Sequence, residues 1–312
     1  MRIVRKNCSI LLILPVITVL LAVSGCADSA EPGIVFLPVV KAPQVGSVIA
    51  GLKLNTVFKD QEKLLLRNDR HTVTMNAGKQ CCYIDTVPVF LNEPVIFADN
   101  QWQISSVTAE TFLDPILNDR LPVIRTILID PGHGGRDTGA ISVKNDFEKD
   151  LNLLLAEAVG EELKKAGYTV YFTRSDDTFL SLDRRPELIV EYNADLFISI
   201  HHNSAANINA SGHEVYILKG ETPEENRLIA ESAGVAFAIE YSLAREMKST
   251  VRGVKTGRFK VLRLARCPAI LIETAFLSNS TDAVLAADEN YRKAFAGAVA
   301  KALGAPAGIS QQ

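Results

Sequence analysis

From about residue 126 onward, short apolar runs alternate with segments of helical period, and this alternation leaves few folds open. The runs at 126–130, 169–173, 196–200, 214–218 and 269–272 are too short for helices and rich in Ile, Leu, Val and Phe. Between the first two, residues 147–165 place Leu151, Leu154, Leu155, Ala158, Val159 and Leu163 on one helical stripe, closed by Gly167. Further helices are expected over 182–192, behind Ser181, over about 223–241 and over 282–303. Strands apolar on both faces and separated by helices belong in a largely parallel sheet. The expected fold class is therefore α/β, a mostly parallel sheet with helices on both faces, over residues 121–305.

In such sheets reactive groups collect just beyond the carboxyl ends of the strands. The first strand runs into Asp130-Pro131-Gly132-His133-Gly134-Gly135, and the third into His201-His202-Asn203-Ser204. The fifth, "AILIETAFLSN", carries Glu273. Three of the five histidines thus stand beside two strand ends. The glycine-rich loop has neither the GxxxxGK[ST] nor the GxGxxG spacing, which argues against a phosphate cradle. A metal site fits better: zinc takes imidazole and carboxylate ligands, and a catalytic centre keeps three protein ligands and one open position. His133 and His201 are the natural imidazoles, with Glu148 in the first turn of the first long helix as candidate third ligand. Spacing alone serves equally a capping box between Asn145 and Glu148. Glu273 ends an apolar strand, where an unpaired carboxylate is costly, so a working role competes with an ion pair to a neighbour such as Arg263. Asp130 is placed either to hold a ligand imidazole from behind or to serve as a turn residue before Pro131.

The blocks "ILIDPGHGGRDTGAI", "FEKDLNLLLA", "YFTRSDDTFLSLDRRPELIVEYNADLFISIHHNSA", "SGHEVYIL" and "VLRLARCPAILIETAFLSN" occur in that order. They resemble the zinc-dependent N-acetylmuramoyl-L-alanine amidases of the amidase type 3 family. The resemblance implies one zinc ion per chain on His133, Glu148 and His201, with Glu273 as the catalytic acid/base. It implies peptidoglycan as substrate, cut at the amide between N-acetylmuramic acid and L-alanine, in cell-wall remodelling or daughter-cell separation. The zinc would make a nucleophile of its bound water, whose proton Glu273 would accept and pass to the leaving amine. It also puts Arg263 and Asn279 near the site as substrate contacts or loop holders; their plain readings are a surface salt bridge and a turn residue. His202 stands where the family usually has a small residue, and on a strand it faces opposite to His201; an exchange of roles between the two is the alternative. His213 is a further departure, and reads as structural. Some family members carry an inserted helix that plugs the zinc until an activator protein removes it. Here 221–256 reads as one helix and a loop, with no plug, and any activator is unidentified. The competing functions are a non-catalytic peptidoglycan-binding lipoprotein and another zinc hydrolase of cell-wall peptides.

At the other end of the chain, Arg2, Arg5 and Lys6 precede an apolar stretch over 10–23. As a helix it spans roughly 21 Å, short of the ~30 Å hydrocarbon core, so it reads as a secretory signal over 1–25. Its end, Val23-Ser24-Gly25-Cys26, resembles a bacterial lipobox, which implies a lipid on Cys26 and a membrane anchor. The location implied is the cell envelope: the periplasmic face of the outer or inner membrane, or the cell surface. Residues 26–46 read as a tether. Residues 47–120 contain short β segments divided by turns such as Arg67-Asn68-Asp69 and Asn76-Ala77-Gly78, a small β-rich domain. Its pattern resembles the copper amine oxidase N-terminal-like module, without a copper site, since His71 is its only histidine. Residues 306–312 form a tail. With Cys8 in the signal and Cys26 acylated, Cys81, Cys82 and Cys267 remain as expected small buried hydrophobes, and the lack of a CxxC pair argues against a cysteine zinc site. Lys plus Arg total 33 against 36 Asp plus Glu, which leaves no cationic excess for nucleic acid.

Overall fold

The computed structural model describes residues 51–306. The expected signal, tether, Cys26 and residues 307–312 lie outside them. A single mixed sheet of twelve strands organises the described chain. Its first strands are β1 (Asn55–Lys59), β2 (Lys63–Arg67), β3 (Thr72–Asn76), β4 (Lys79–Ile84), β5 (Val87–Ala98) and β6 (Gln101–Gln103). Then come β7 (Thr126–Pro131), β8 (Thr169–Phe172), β9 (Leu196–Asn203), β10 (His213–Leu218), β11 (Val251–Gly257) and β12 (Ala269–Phe276). The order across the sheet is β1-β2-β3-β4-β5-β11-β10-β12-β9-β7-β8, with β6 paired to β5.

β7 pairs in parallel with β8 and β9, and β9 with β12. The strands are joined through helices, as their apolar runs require. The main helices are α1 (Glu148–Lys165), α2 (Arg184–Glu191), α3 (Pro223–Glu246), α4 (Lys260–Leu264), α5 (Ser280–Ala287) and α6 (Glu289–Leu303). α6 packs on both α1 and α3, which cover one face, while α2 and α4 meet on the other. This is the α/β architecture expected from the strand–helix alternation. Among the described residues, no helix is long and apolar enough to cross a membrane.

The β-rich segment is an antiparallel meander with period-two burial: Leu64, Leu66, Val73, Met75, Cys82, Ile84, Val87 and Val89 are all buried. It ends in short helical turns, Ser106–Thr108, Ala109–Leu113 and Asp114–Leu117, the middle one a π-helix that packs on α3. The sheet crosses the boundary expected near residue 120, because β5 pairs in parallel with β11 at Val89 and Val254. β11 lies within the stretch that the sequence reads as a loop after the helix. Arg252, Gly253 and Lys255 mask it, because one face of this strand is polar and Gly253, at φ +89, lets Pro88 O approach. Cys82 and Cys267 are buried free thiols, whereas Cys81 is half-buried on the opposite face.

Candidate active site

Asp130 is fully buried near the end of β7, and three donors hold it there: Thr173 Oγ1 at 2.6 Å, Ser199 Oγ at 2.8 Å and Arg185 Nη1 at 2.7 Å. The chain then turns through His133, whose φ of +61 is unusual for a side-chain-bearing residue. Two buried arginines secure that turn. Arg185 donates to Pro131 O and His133 O, and Arg174 to Pro131 O, Gly132 O and Lys149 O. Asp130 thus anchors the loop through Arg185 and does not touch an imidazole.

Glycine is required where the imidazoles come close. A Cβ on Gly132 would lie 2.2 Å from His201 Cε1, and one on Gly139 would lie 2.5 Å from Glu148 Oε2. Glu148 opens α1, so Asn145 is not its cap and the capping-box alternative falls away. Its Oε2 accepts from Ala140 N, while its Oε1 lies 2.9 Å from His201 Nδ1 and 3.2 Å from His133 Nε2. The three side chains each offer a donor atom, all within 4.8 Å of one another. Zinc–ligand bonds of ~2.0–2.1 Å set tetrahedral ligands about 3.3 Å apart, so two imidazoles and one carboxylate at this spacing suit a divalent ion.

The electrostatics fit the same use. Burial opposes charge on His133, but Glu148 and Asp137 outweigh it and hold the imidazolium up to about 9. Burial acts to raise the Glu148 carboxyl, and the two imidazoles overcome it and hold the group well below its ordinary value. The Glu148 carboxylate is thus a concentrated negative charge against two imidazoles, and a cation bound there would displace their protons.

Glu273 faces the same cleft, of about 580 Å³, as the three side chains. It pairs in register with His201 on one side and Glu214 on the other. Its Oε2 is buried without a hydrogen-bond partner, so no ion pair with Arg263 exists. Burial pushes its carboxyl up to about 7; Glu148 and Glu214 add to the rise, and His201 opposes it.

The structure separates the remaining candidates. His202 turns to α1, where its Nδ1 lies 2.7 Å from Asn152 Oδ1, and burial pushes its pKa down to about 4. His213 is buried against Glu240, Nδ1 to Oε2 3.0 Å, on the helix-covered face. Asn279 caps α5, accepting from Thr281 N and Asp282 N, and its Nδ2 donates to Ile208 O. Arg263 is exposed on α4 and lines a different cavity. Neither of these two lines the cleft, and nor does any residue of 221–256. Arg174, Arg185 and Glu214 were not foreseen. A charged residue inside a helical or strand block was the available signal, but it does not distinguish a buried charge from a solvated one.

Fold and site together define an α/β protein with a candidate divalent-metal centre at the carboxyl edge of a parallel sheet. The chain belongs to the N-acetylmuramoyl-L-alanine amidase family (amidase type 3), whose profile matches residues 127–305. It is 38% identical over 175 residues to the uncharacterized protein YqiI of Bacillus subtilis, covering 56% of this chain and 81% of that one. It is 36% identical over 180 residues to the N-acetylmuramoyl-L-alanine amidase LytC of Bacillus subtilis, covering 58% of this chain but only 34% of LytC. Among solved structures, an N-acetylmuramoyl-L-alanine amidase from Clostridium difficile 630 matches with a TM-score of 0.53 and 33% identity, over 58% of this chain and 96% of that one. The CwlD amidase of Clostridioides difficile, solved in complex with the GerS lipoprotein, matches at 0.52 and 30%, over 57% and 96%.

Proposed function

We propose that the protein hydrolyses the amide between N-acetylmuramic acid and L-alanine in peptidoglycan, using one zinc ion held by His133, Glu148 and His201. The observation that carries this reading is the unpartnered, buried Oε2 of Glu273 in the cleft of those three side chains. A buried carboxylate oxygen without a donor is costly unless a reacting group supplies one. Membership of the amidase family supports the bond to be cut.

A bound zinc ion supplies Lewis acidity, polarising the carbonyl and lowering the pKa of water. The chain does the rest. Glu273, with a carboxyl near neutrality, takes the proton of the attacking water and returns it to the departing alanine amine. Arg174 and Arg185 hold His133 in its left-handed turn, and Gly132 leaves His201 room to enter the site. In the cell, the reading includes a lipid on Cys26 that holds the enzyme in the envelope, for wall remodelling or daughter-cell separation.

The test is digestion of purified peptidoglycan by the wild type, by Glu273→Ala and by chelator-treated protein. The wild type is expected to release stem peptides with free alanine amines and leave lactyl carboxylates on the glycan, and the other two to release almost none. Equal release by all three overturns the zinc mechanism; cuts between stem amino acids identify a peptidase instead.

A further inference from the structure

The site face of the sheet does not end at the cleft. Glu273 on β12 is directly opposite Glu214 on β10, and the side chains of such a pair share a face. Tyr216, two residues on, donates to Glu214 Oε1 and is in register with Lys255 on β11. Lys255 Nζ lies 5.6 Å from the Phe90 ring centroid on β5, and Phe90 is in register with Cys81 on β4. The long helices cover the opposite face, and here Tyr83 stays 44% exposed. A half-open surface therefore runs from the cleft across β10, β11, β5 and β4. Phe259 joins the two parts, since it lines the cleft and meets Tyr216 edge to face at 5.0 Å.

Two hollows of about 250 and 360 Å³ mark this surface, and Gln80 and Phe90 line both. Lys79, Lys219 and Lys255 line them, and no carboxylate does. Lys255 and Arg252 both meet the buried Glu214, and Glu273 stands opposite it, so the surplus positive charge of this surface rests on Lys79 and Lys219, which pair with no carboxylate among the described residues. From β12 to β5 is three strand spacings, about 14 Å, and β4 lies about 19 Å away. An extended pentapeptide reaches at most about 17 Å. Of the two limbs of the substrate, the stem peptide carries free carboxylates, whereas the glycan beyond the scissile bond is uncharged.

We propose that this open face binds the acidic stem peptide that leads away from the scissile amide, so that the β-rich segment forms part of the substrate site. This rests on the amidase reading. The peptide crosses the strands, its first residues over Tyr216 and Phe259, and its carboxylates reach Lys255 and Lys219 beside Phe90, while the Lys79 side chain, which lines the hollow of Phe90 from β4, closes the remaining gap.

The full chain is tested as wild type, Phe90→Ala and the double charge reversal Lys79→Glu/Lys219→Glu. Hydrolysis of soluble muramoyl pentapeptide and muramoyl dipeptide is followed, together with calorimetric binding of free pentapeptide to Glu273→Gln with and without the same changes. The expected result is that either variant raises KM for the pentapeptide about tenfold more than for the dipeptide, and weakens pentapeptide binding by a similar factor. Equal effects on the two substrates, no effect on either, or dependence on glycan length in place of peptide length overturns the proposal. Should the wild type cut neither substrate, the amidase reading fails. Lysine-dependent binding of pentapeptide to Glu273→Gln, or its absence, still decides this one. The exposed lysines keep the test valid if Phe90→Ala folds poorly.

Discussion

Replacing Arg185 by alanine tests whether a buried guanidinium builds the loop that carries His133. Arg185 is 2% exposed and satisfies Asp130 Oδ1 at 2.7 Å, Pro131 O at 2.9 Å and His133 O at 2.7 Å. The alanine variant leaves the Asp130 carboxylate, itself fully buried, with only the Thr173 and Ser199 hydroxyls, and leaves three carbonyls, of Pro131, His133 and Leu180, without this donor. Removing one partner of a buried pair costs about 3–5 kcal/mol. For a domain of this size each kcal/mol moves the melting temperature by roughly 2–4 °C, so a fall of about 10 °C is expected in calorimetry. Arg185→Lys keeps the charge but loses the fork, and should recover only part of this. Asp130→Asn combined with Arg185→Met removes both charges and should melt well above Arg185→Ala. A loss under about 1 kcal/mol, or a double variant as costly as the sum of the single changes, would refute the argument that this pair holds the loop.

Two further outcomes concern the site itself. In metal-free protein Glu273 has a folded pKa of about 7, above its ordinary 4.5. The stabilising contribution of its protonated form is therefore complete below about pH 4.5 and lost as pH rises toward 7. Relative to Glu273→Gln, the wild type should lose stability on the order of 3 kcal/mol across that window, read by denaturant titration at several pH values; a pH-independent difference contradicts the burial argument. Zinc that binds only the folded state at a hundred times its Kd adds about 2.7 kcal/mol, so zinc should raise the melting temperature of the wild type and not of His201→Ala. Equal stabilisation of both proteins would remove His201 from the ligand set.

Much of the site is local in sequence, which is why it could be read there. His133 lies in a glycine loop after an apolar strand, and His201 and Glu273 are on neighbouring strands at the same edge, so the periodicity that marks the strands also places them together. Glu148 was ambiguous in sequence because a helix N-terminus uses glutamate for capping as readily as for ligation. The structure removes the capping box, since Phe147 opens the helix, and it places Oε1 beside both imidazoles, where the proposed ligation needs it. Asn279 shows the opposite outcome: near the site in sequence, it is taken up by capping α5. β11 was hidden because its polar face is answered by Glu214, on a strand 38 residues away from Arg252.

The sequence by itself determined the α/β class and the ligand candidates, because apolar period and strand-end chemistry are written in consecutive residues. Only the tertiary structure decided that Arg174 and Arg185 are buried builders of the loop, that Glu273 Oε2 has no donor, and that β5 joins β11 to extend the site face. Each of these depends on contacts between segments far apart in the chain. No local pattern of charge or hydrophobicity records which distant backbone a side chain will meet.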